Sequence, residues 1–565
     1  MLGRFFRLLL ALLVSQILLF LLFLVALGAF LMSRDDGPTV VHRHSALGVH
    51  LSGELIEYPT LPVLPFVNEV PLSQTHILEC IDRARRDEHI DVVLLELDAP
   101  ILGWGMATEL RQALGRFRDS GKQAWVYADY LDEVGLYLAS ACDSIFVPPH
   151  GKVMLGGLAL GALYYKGLFD KVGVRANIHR IGAYKSAAEP YTRSAMSQEA
   201  RDNAEWLLDA IWQEFQTAVV ADRDIEAADF EAAVARGTLQ PGEALEARLV
   251  DGVRQRHDVR QPFRGSDGAD HIVDIASYRK LPEGGLHRAP KIAVVHARGF
   301  ILGGRNAFNP LVGTILGESS VVRDLESAAD DDGVEAIVLR VDSPGGDILA
   351  SDAIGHAVER ARASKPVVVS MVDVAASGGY MISYRANRIV ALPTTITGSI
   401  GSLTGKLAMR GLYDKLGLRK DFVTRGAYPF LFSDYHEWSA REESLIVRQH
   451  WQDYDLWIAD IAAHRDMSAA EVDSLGRGRV WSGEQAREQA LVDEIGDLQR
   501  AVEVAAELAG LGPGEAVRRV HYPKEAGLLD VLEERSAYFA GLAEGWARAA
   551  RLPQSTAWAV LDLGW

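Results

Sequence analysis

The sequence predicts an α/β protein made of two tandem copies of one domain, each with a largely parallel sheet, preceded by one N-terminal transmembrane helix. Three observations carry this. A run of 25 residues without a charge, Leu8 to Met32, stands near the start of the 565-residue chain. Segments of the first half recur in the second half in nearly constant register. Within each half, short β-branched apolar runs alternate with stretches of helical periodicity.

The apolar run comes first. As a helix, "LLLALLVSQILLFLLFLVALGAFLM" is long enough to span a hydrocarbon core. It exceeds the short apolar region of a cleaved signal peptide, and no small-residue cleavage site follows it. Arg4 and Arg7 precede it, whereas "SRDDG" after it is net acidic. The positive-inside rule therefore leaves residues 1–36 as a cytoplasmic stub and anchor, with everything beyond on the other side. For a Gram-negative bacterium the expectation is a single-pass protein of the inner membrane with its bulk in the periplasm.

The duplication follows. "GVHLSGELI" at 48–56 is echoed by "VVHARGFIL" at 294–302, and "DVVLLELDAP" at 91–100 by "EAIVLRVDSP" at 335–344. "GLFDKVGVRANIHRIGAYK" at 167–185 is echoed by "GLYDKLGLRKDFVTRGAYP" at 411–429, and "GEALEARLVDGV" at 242–253 by "GEQAREQALVDEI" at 483–495. Both middle pairs differ by 244 (335 less 91, 411 less 167). Two repeats follow, 45–285 and 290–565, with Gly- and Pro-rich stretches at their junction.

Runs such as "IAVVHA", "EAIVLRVD" and "KPVVVSMV" are almost continuously apolar, as strands buried on both faces require. "SDAIGHAVERARASK" between two of them places Ile354, Ala357, Val358 and Ala361 at helical spacing. Strand, turn and helix in alternation predict a parallel sheet. The composition, 48% apolar and 24% charged, is that of an ordinary globular protein. The net charge, 58 less 76 or −18, argues against a nucleic-acid partner. Two cysteines, Cys80 and Cys142, exclude a thiolate zinc cluster and read as buried thiols rather than a disulfide.

Two turns after strands carry the chemistry. "VDSPGGD" (341–347) and "VAASGGY" (374–380) each end a strand and open a helix. Alone, either is an ordinary turn. On neighbouring strands they could bring the amides of Gly346 and Gly378 and the hydroxyl of Ser377 to one point, the requirement of acyl transfer. Ser377 then needs a base. The nearest histidine, His356, sits on a helix among solvated charges. The repeats point elsewhere: Val134 stands where the second half has Ser377, "DAPIL" replaces "DSPGG", and Lys185 stands where the second half has Pro429. Each half holds a residue its twin lacks, and a desolvated lysine can act as general base.

"DSPGG", "ASGGYMIS", "TGSIGSLTG" and "GAYKSAAEPYTRSAMS", with the anchor and the duplication, resemble the signal peptide peptidase A family in its long, tandem-repeat, membrane-anchored form. The resemblance covers residues 45 to about 510 and implies two tandem Clp/crotonase-like domains. It implies Ser377 as nucleophile, Lys185 as general base, Gly346 and Gly378 as oxyanion hole, and Ser399 as the residue that orients the lysine. It also implies a homotetramer at the membrane that degrades leftover signal peptides without a metal or other cofactor.

Two other classes remain open on the sequence. A crotonase-type acyl-CoA enzyme would use the same glycines without a nucleophile, and a non-catalytic membrane scaffold would explain the groups lost from one half. The tail "EAGLLDVLEERSAYFAGLAEGWARAARL" reads as a packing or oligomerisation helix, with a helix on the membrane surface as the sharper alternative. "VHRHS" at 41–45 lacks a third metal ligand and reads as solvated.

Overall fold

Each half of the chain builds one large, mainly parallel sheet. The computed structural model describes residues 39–60, 72–265, 268, 270–282, 289–310 and 312–524, with 15, 16, 19 and 23 besides. The apolar run 8–32, save those four positions, and the tail beyond 524, for which the sequence suggests a helix, lie outside the described residues. Among the described residues no helix is long and apolar enough to cross a membrane.

In the first half, six parallel strands lie in the order Ile272–Asp274, Ser45–Glu54, Ile90–Ile101, Gln123–Ala128, Ser144–Val147 and Gly252–Val253. In the second half, Val367–Ala376, Val334–Ser343, Lys291–Arg298 and Arg518–Tyr522 are successive parallel neighbours. Ile396–Gly398 extends this sheet in parallel, and Val480–Ser482 closes that edge antiparallel.

Burial explains why these strands read as unbroken apolar runs. Side chains alternate across a strand, so a strand with both faces covered needs apolar residues at every position. Ile337, Leu339, Val367 and Val369 face one core with Ile354, Ala357, Val358 and Ala361 of the helix Ile348–Arg362. Ala336, Val338 and Val368 face the opposite layer, formed by the helix Leu498–Leu508. Cys80 and Cys142 are buried in the core of the first half and form no disulfide.

The halves do not sit side by side as independent beads. Arg175–Ile181 of the first half pairs antiparallel with Ser402–Ala408 of the second, forming a two-stranded ribbon that joins neither large sheet. Ile181 packs in the core of the second half. A buried ionic cluster also crosses the junction: Arg340 donates to Glu57 at 3.2 Å and to Glu109, and His296 lies 2.9 Å from Glu57. With no exposure at Arg340, removing one partner would leave a buried charge uncompensated, at a cost of about 3–5 kcal/mol.

Candidate active site

The strand Val367–Ala376 delivers Ser377 in a conformation few residues adopt, φ 57° and ψ −114°. A side chain at positive φ carries strain of about 1–3 kcal/mol and persists only where its surroundings hold it. Here the Ser377 N–H donates to the Gly398 carbonyl at 2.9 Å, and the short helix Gly378–Met381 follows at once.

The neighbouring strand ends in "SPGG", and the two turns touch. Gly345 has φ +99°, and a Cβ there would come 2.5 Å from the Gly378 nitrogen. A Cβ on Gly378 would lie 3.0 Å from the Gly346 nitrogen. Only glycines allow this approach. The segment is pinned from its other side, because Ile301 donates to Gly345 O at 2.9 Å and accepts from the Asp347 N–H at 2.8 Å. Among the described residues neither the Gly346 nor the Gly378 N–H donates a hydrogen bond, which leaves two amides beside the serine hydroxyl.

Lys185 arrives from the other half. The ribbon strand ends at Ile181, and the chain turns at Gly182 (φ +108°) to bring Lys185 across the junction. Its Nζ lies 2.9 Å from Ser377 Oγ and 3.0 Å from both the carbonyl and the hydroxyl oxygen of Ser399. The side chain is 6% exposed. Burial, with no carboxylate acting on it, lowers the ammonium from 10.5 to about 8. The sequence-derived residues therefore meet in one place, the three side chains directly and the two glycines through their amides. His356, by contrast, is exposed and bonded to Glu359 at 3.1 Å.

A serine with a strained backbone, free amides beside it and a buried lysine on its hydroxyl is the arrangement of a hydrolase with a Ser–Lys pair. The profile of Peptidase family S49 matches residues 116–266 and 359–512, once in each half. "Protease 4" of Salmonella typhi is 33% identical over 495 residues, spanning 84% of this chain and 77% of that protein. "Protease 4" of Haemophilus influenzae is 32% identical over 536 residues, spanning 88% and 84%. "Serine protease SPPA, chloroplastic" of Arabidopsis thaliana is 31% identical over 471 residues, spanning 82% and 69%.

The chain belongs to peptidase family S49. It is a serine peptidase.

In this S49 peptidase one part of the site has no counterpart in the sequence reading, the loop Gly476–Arg479. Its backbone is wedged between the lysine and serine segments. The Tyr184 N–H donates to Arg477 O at 3.0 Å, the Ser399 N–H donates to Arg479 O at 2.7 Å, and the Gly478 N–H donates to Ile400 O at 2.8 Å. Gly478 has φ +80°, and a Cβ there would come 2.4 Å from the Lys185 nitrogen. Arg479 lies over the Tyr184 ring and donates to its hydroxyl at 2.6 Å. One short loop thus sets the distance between Lys185 and Ser399. The signal that could have found it is "LGRGR" (475–479) against "VARGT" (234–238), a further echo within the duplication.

Behind the lysine, Glu189 accepts from Arg180 at 2.8 Å and from the Ser197 hydroxyl at 2.6 Å. This ties the far end of "GAYKSAAEPYTRSAMS" back onto the ribbon and fixes the turn that carries Lys185.

Proposed function

We propose that this S49 peptidase is a membrane-anchored endopeptidase that uses Ser377 and Lys185 to degrade hydrophobic peptides, foremost the signal peptides left after preprotein processing. The observation that carries the chemistry is the 2.9 Å contact between Lys185 Nζ and Ser377 Oγ, made by a lysine that burial alone pushes down to about 8.

Neutral Lys185 takes the Ser377 proton as Oγ bonds to the scissile carbonyl carbon. The carbonyl electrons move onto its oxygen, which the Gly346 and Gly378 amides receive. The resulting ammonium gives its proton to the departing amine as the C–N bond breaks, leaving an ester on Ser377. Water then attacks the ester, Lys185 accepts the water's proton, and the acid product leaves as Oγ is reprotonated. Ser399 holds Nζ through its hydroxyl and carbonyl and orients it in both steps.

Topology and surface support the substrate class. The anchor at 8–32 sets the catalytic halves beside the bacterial inner membrane on the periplasmic side. The stretch "LGGLALGAL" (155–163) runs without regular structure and exposes Leu160 and Leu163. The test compares a Leu/Ala-rich signal-peptide-like sequence with a charged peptide of equal length. Faster turnover of the apolar peptide is expected; equal rates, or faster cleavage of a folded protein, would overturn the substrate assignment.

We further infer that the chain assembles with copies of itself, as a homotetramer. At the repeat offset of 244, the ribbon strands 402–408 and 175–181 correspond to 158–164 and 419–425. Among the described residues these counterparts belong to no strand, and they expose Leu163, Phe422 and Val423. Residues 158–164 of one copy can pair with 419–425 of the next as the ribbon does internally.

A further inference from the structure

The ribbon that leads to the lysine is an isolated two-stranded sheet, and such a sheet is marginal without support. Its register sets Ser402 opposite Ile181 and Thr404 opposite His179, so Ser402 and His179 are diagonal neighbours on one face. The helix Ala440–Arg465 places His450 between them. His450 Nε2 lies 2.6 Å from Ser402 Oγ, and His450 Nδ1 lies 2.8 Å from His179 Nδ1. His450 is buried. One imidazole thus fastens both strands at the end where they hand the chain on to the site. Ile181 is four residues from Lys185, and Ser402 is three residues from Ser399.

We propose that His450, acting through Ser402 and His179, is a positioning residue that holds Lys185 Nζ against Ser377 and keeps water from it. The proposal rests on the Ser377–Lys185 reading above and adds the device that maintains that contact.

The hydrogen bonds define which protonation states keep the device closed. At the Nδ1–Nδ1 contact one ring must donate and the other accept. If Ser402 donates to Nε2, then the Nδ1–H of His450 donates to His179; with the direction reversed, His179 donates and Nε2–H points at Ser402. A single added proton can be carried, because an imidazolium donates on both sides. Two cannot, since two N–H groups would then face each other. Burial, then the charge of His179, lowers His450 to about 4, and burial lowers His179 as well. Glu443, on His450's own helix, pulls His179 the other way. Of the ribbon's other charged groups, Arg175 turns to Asp170, Arg180 to Glu189 and Lys406 to the Phe430 carbonyl. The chain of bonds is therefore complete throughout the range in which Lys185 can act as a base.

The test measures kcat, KM and the pH dependence of kcat on an apolar peptide for full-length His450→Leu, His450→Gln and Ser402→Ala. His450→Leu should lower kcat about tenfold or more with KM within about twofold, and should move the alkaline rise of kcat above its wild-type midpoint as water reaches Nζ. His450→Gln, which restores a polar group facing Ser402, should recover part of kcat. Ser402→Ala, which loses one hydroxyl, should shift kcat and midpoint in the same direction by a smaller factor. A folded His450→Leu with wild-type kcat and midpoint overturns the proposal, as does an equal loss in every parameter with an unmoved midpoint. Should His450→Leu not fold, Ser402→Ala decides, and an unchanged kcat and midpoint there overturns it. Lys185→Ala in parallel separates the two readings: an active Lys185→Ala refutes the dyad itself, while an inert one beside wild-type-like Ser402→Ala and His450→Leu refutes only the positioning role.

Discussion

Lys185 is one side chain with two opposed effects. In the proposed mechanism its neutral form is the base, so kcat/KM should rise with pH through about 8, read as a single ionisation in the rate profile. Ser377→Ala and Lys185→Ala should each reduce turnover by roughly four orders of magnitude, and the double variant should be little worse than either. Lys185→Arg should fail as completely, because a guanidinium keeps its proton near neutral pH; an active Lys185→Arg enzyme would mean that another group activates the serine. The same burial destabilises the fold. The folded ammonium ionises at about 8 and the unfolded one at 10.5, so the unfolded chain binds the extra proton between those values and stability rises with pH across that window. Below about 8 the difference amounts to about 3 kcal/mol against the folded state. Lys185→Met should therefore raise the melting temperature at pH 7, with the gain shrinking as pH approaches 10.5; a destabilised Lys185→Met at pH 7 would count against this accounting.

The elements that place the site divide into those written locally and those that are not. Strands buried on both faces and the helix Ile348–Arg362 declare themselves through apolar runs and helical spacing, and "SPGG" and "SGG" mark the turns that bring Gly346, Ser377 and Gly378 together. The ribbon and the loop Gly476–Arg479 do not. The ribbon pairs 175–181 with 402–408, strands from non-equivalent places in the two repeats, and no local pattern specifies a partner so distant in the chain. The loop acts through its backbone, for which side-chain identity is a poor guide. A prediction belongs to it. Gly478→Ala puts a methyl where the Lys185 backbone stands and asks alanine for a positive φ, so the loop must shift. The expected result is a destabilisation of about 1–3 kcal/mol and a fall in kcat of about tenfold or more; calorimetry and steady-state kinetics check both.

At the scale of the whole molecule, the duplication predicts two units and the structure interlocks them. The proposed nucleophile and base lie on different repeats, and the base follows a strand whose last residue, Ile181, packs into the other repeat's core. Neither 45–285 nor 290–565 expressed alone should hydrolyse a peptide, and turnover by either would mean that the base lies elsewhere. The exposed counterparts of the ribbon give a second expectation. Val423, 94% exposed on one of them, is where Val423→Arg should convert the proposed tetramer to smaller species, read by light scattering.

The two thiols have a use that their chemistry alone would not suggest. Cys142 is pushed up to about 12 by burial, so it is not a thiolate at any pH at which the enzyme is handled. Cys80 lies in the same core, closed off with it. An alkylating reagent can meet either sulfur only when the first half opens, and the second half contains no cysteine to confuse the signal. The rate of thiol labelling in the intact protein is therefore a built-in clock for the opening of one repeat, and it reports whether that repeat comes apart by itself or only together with its twin.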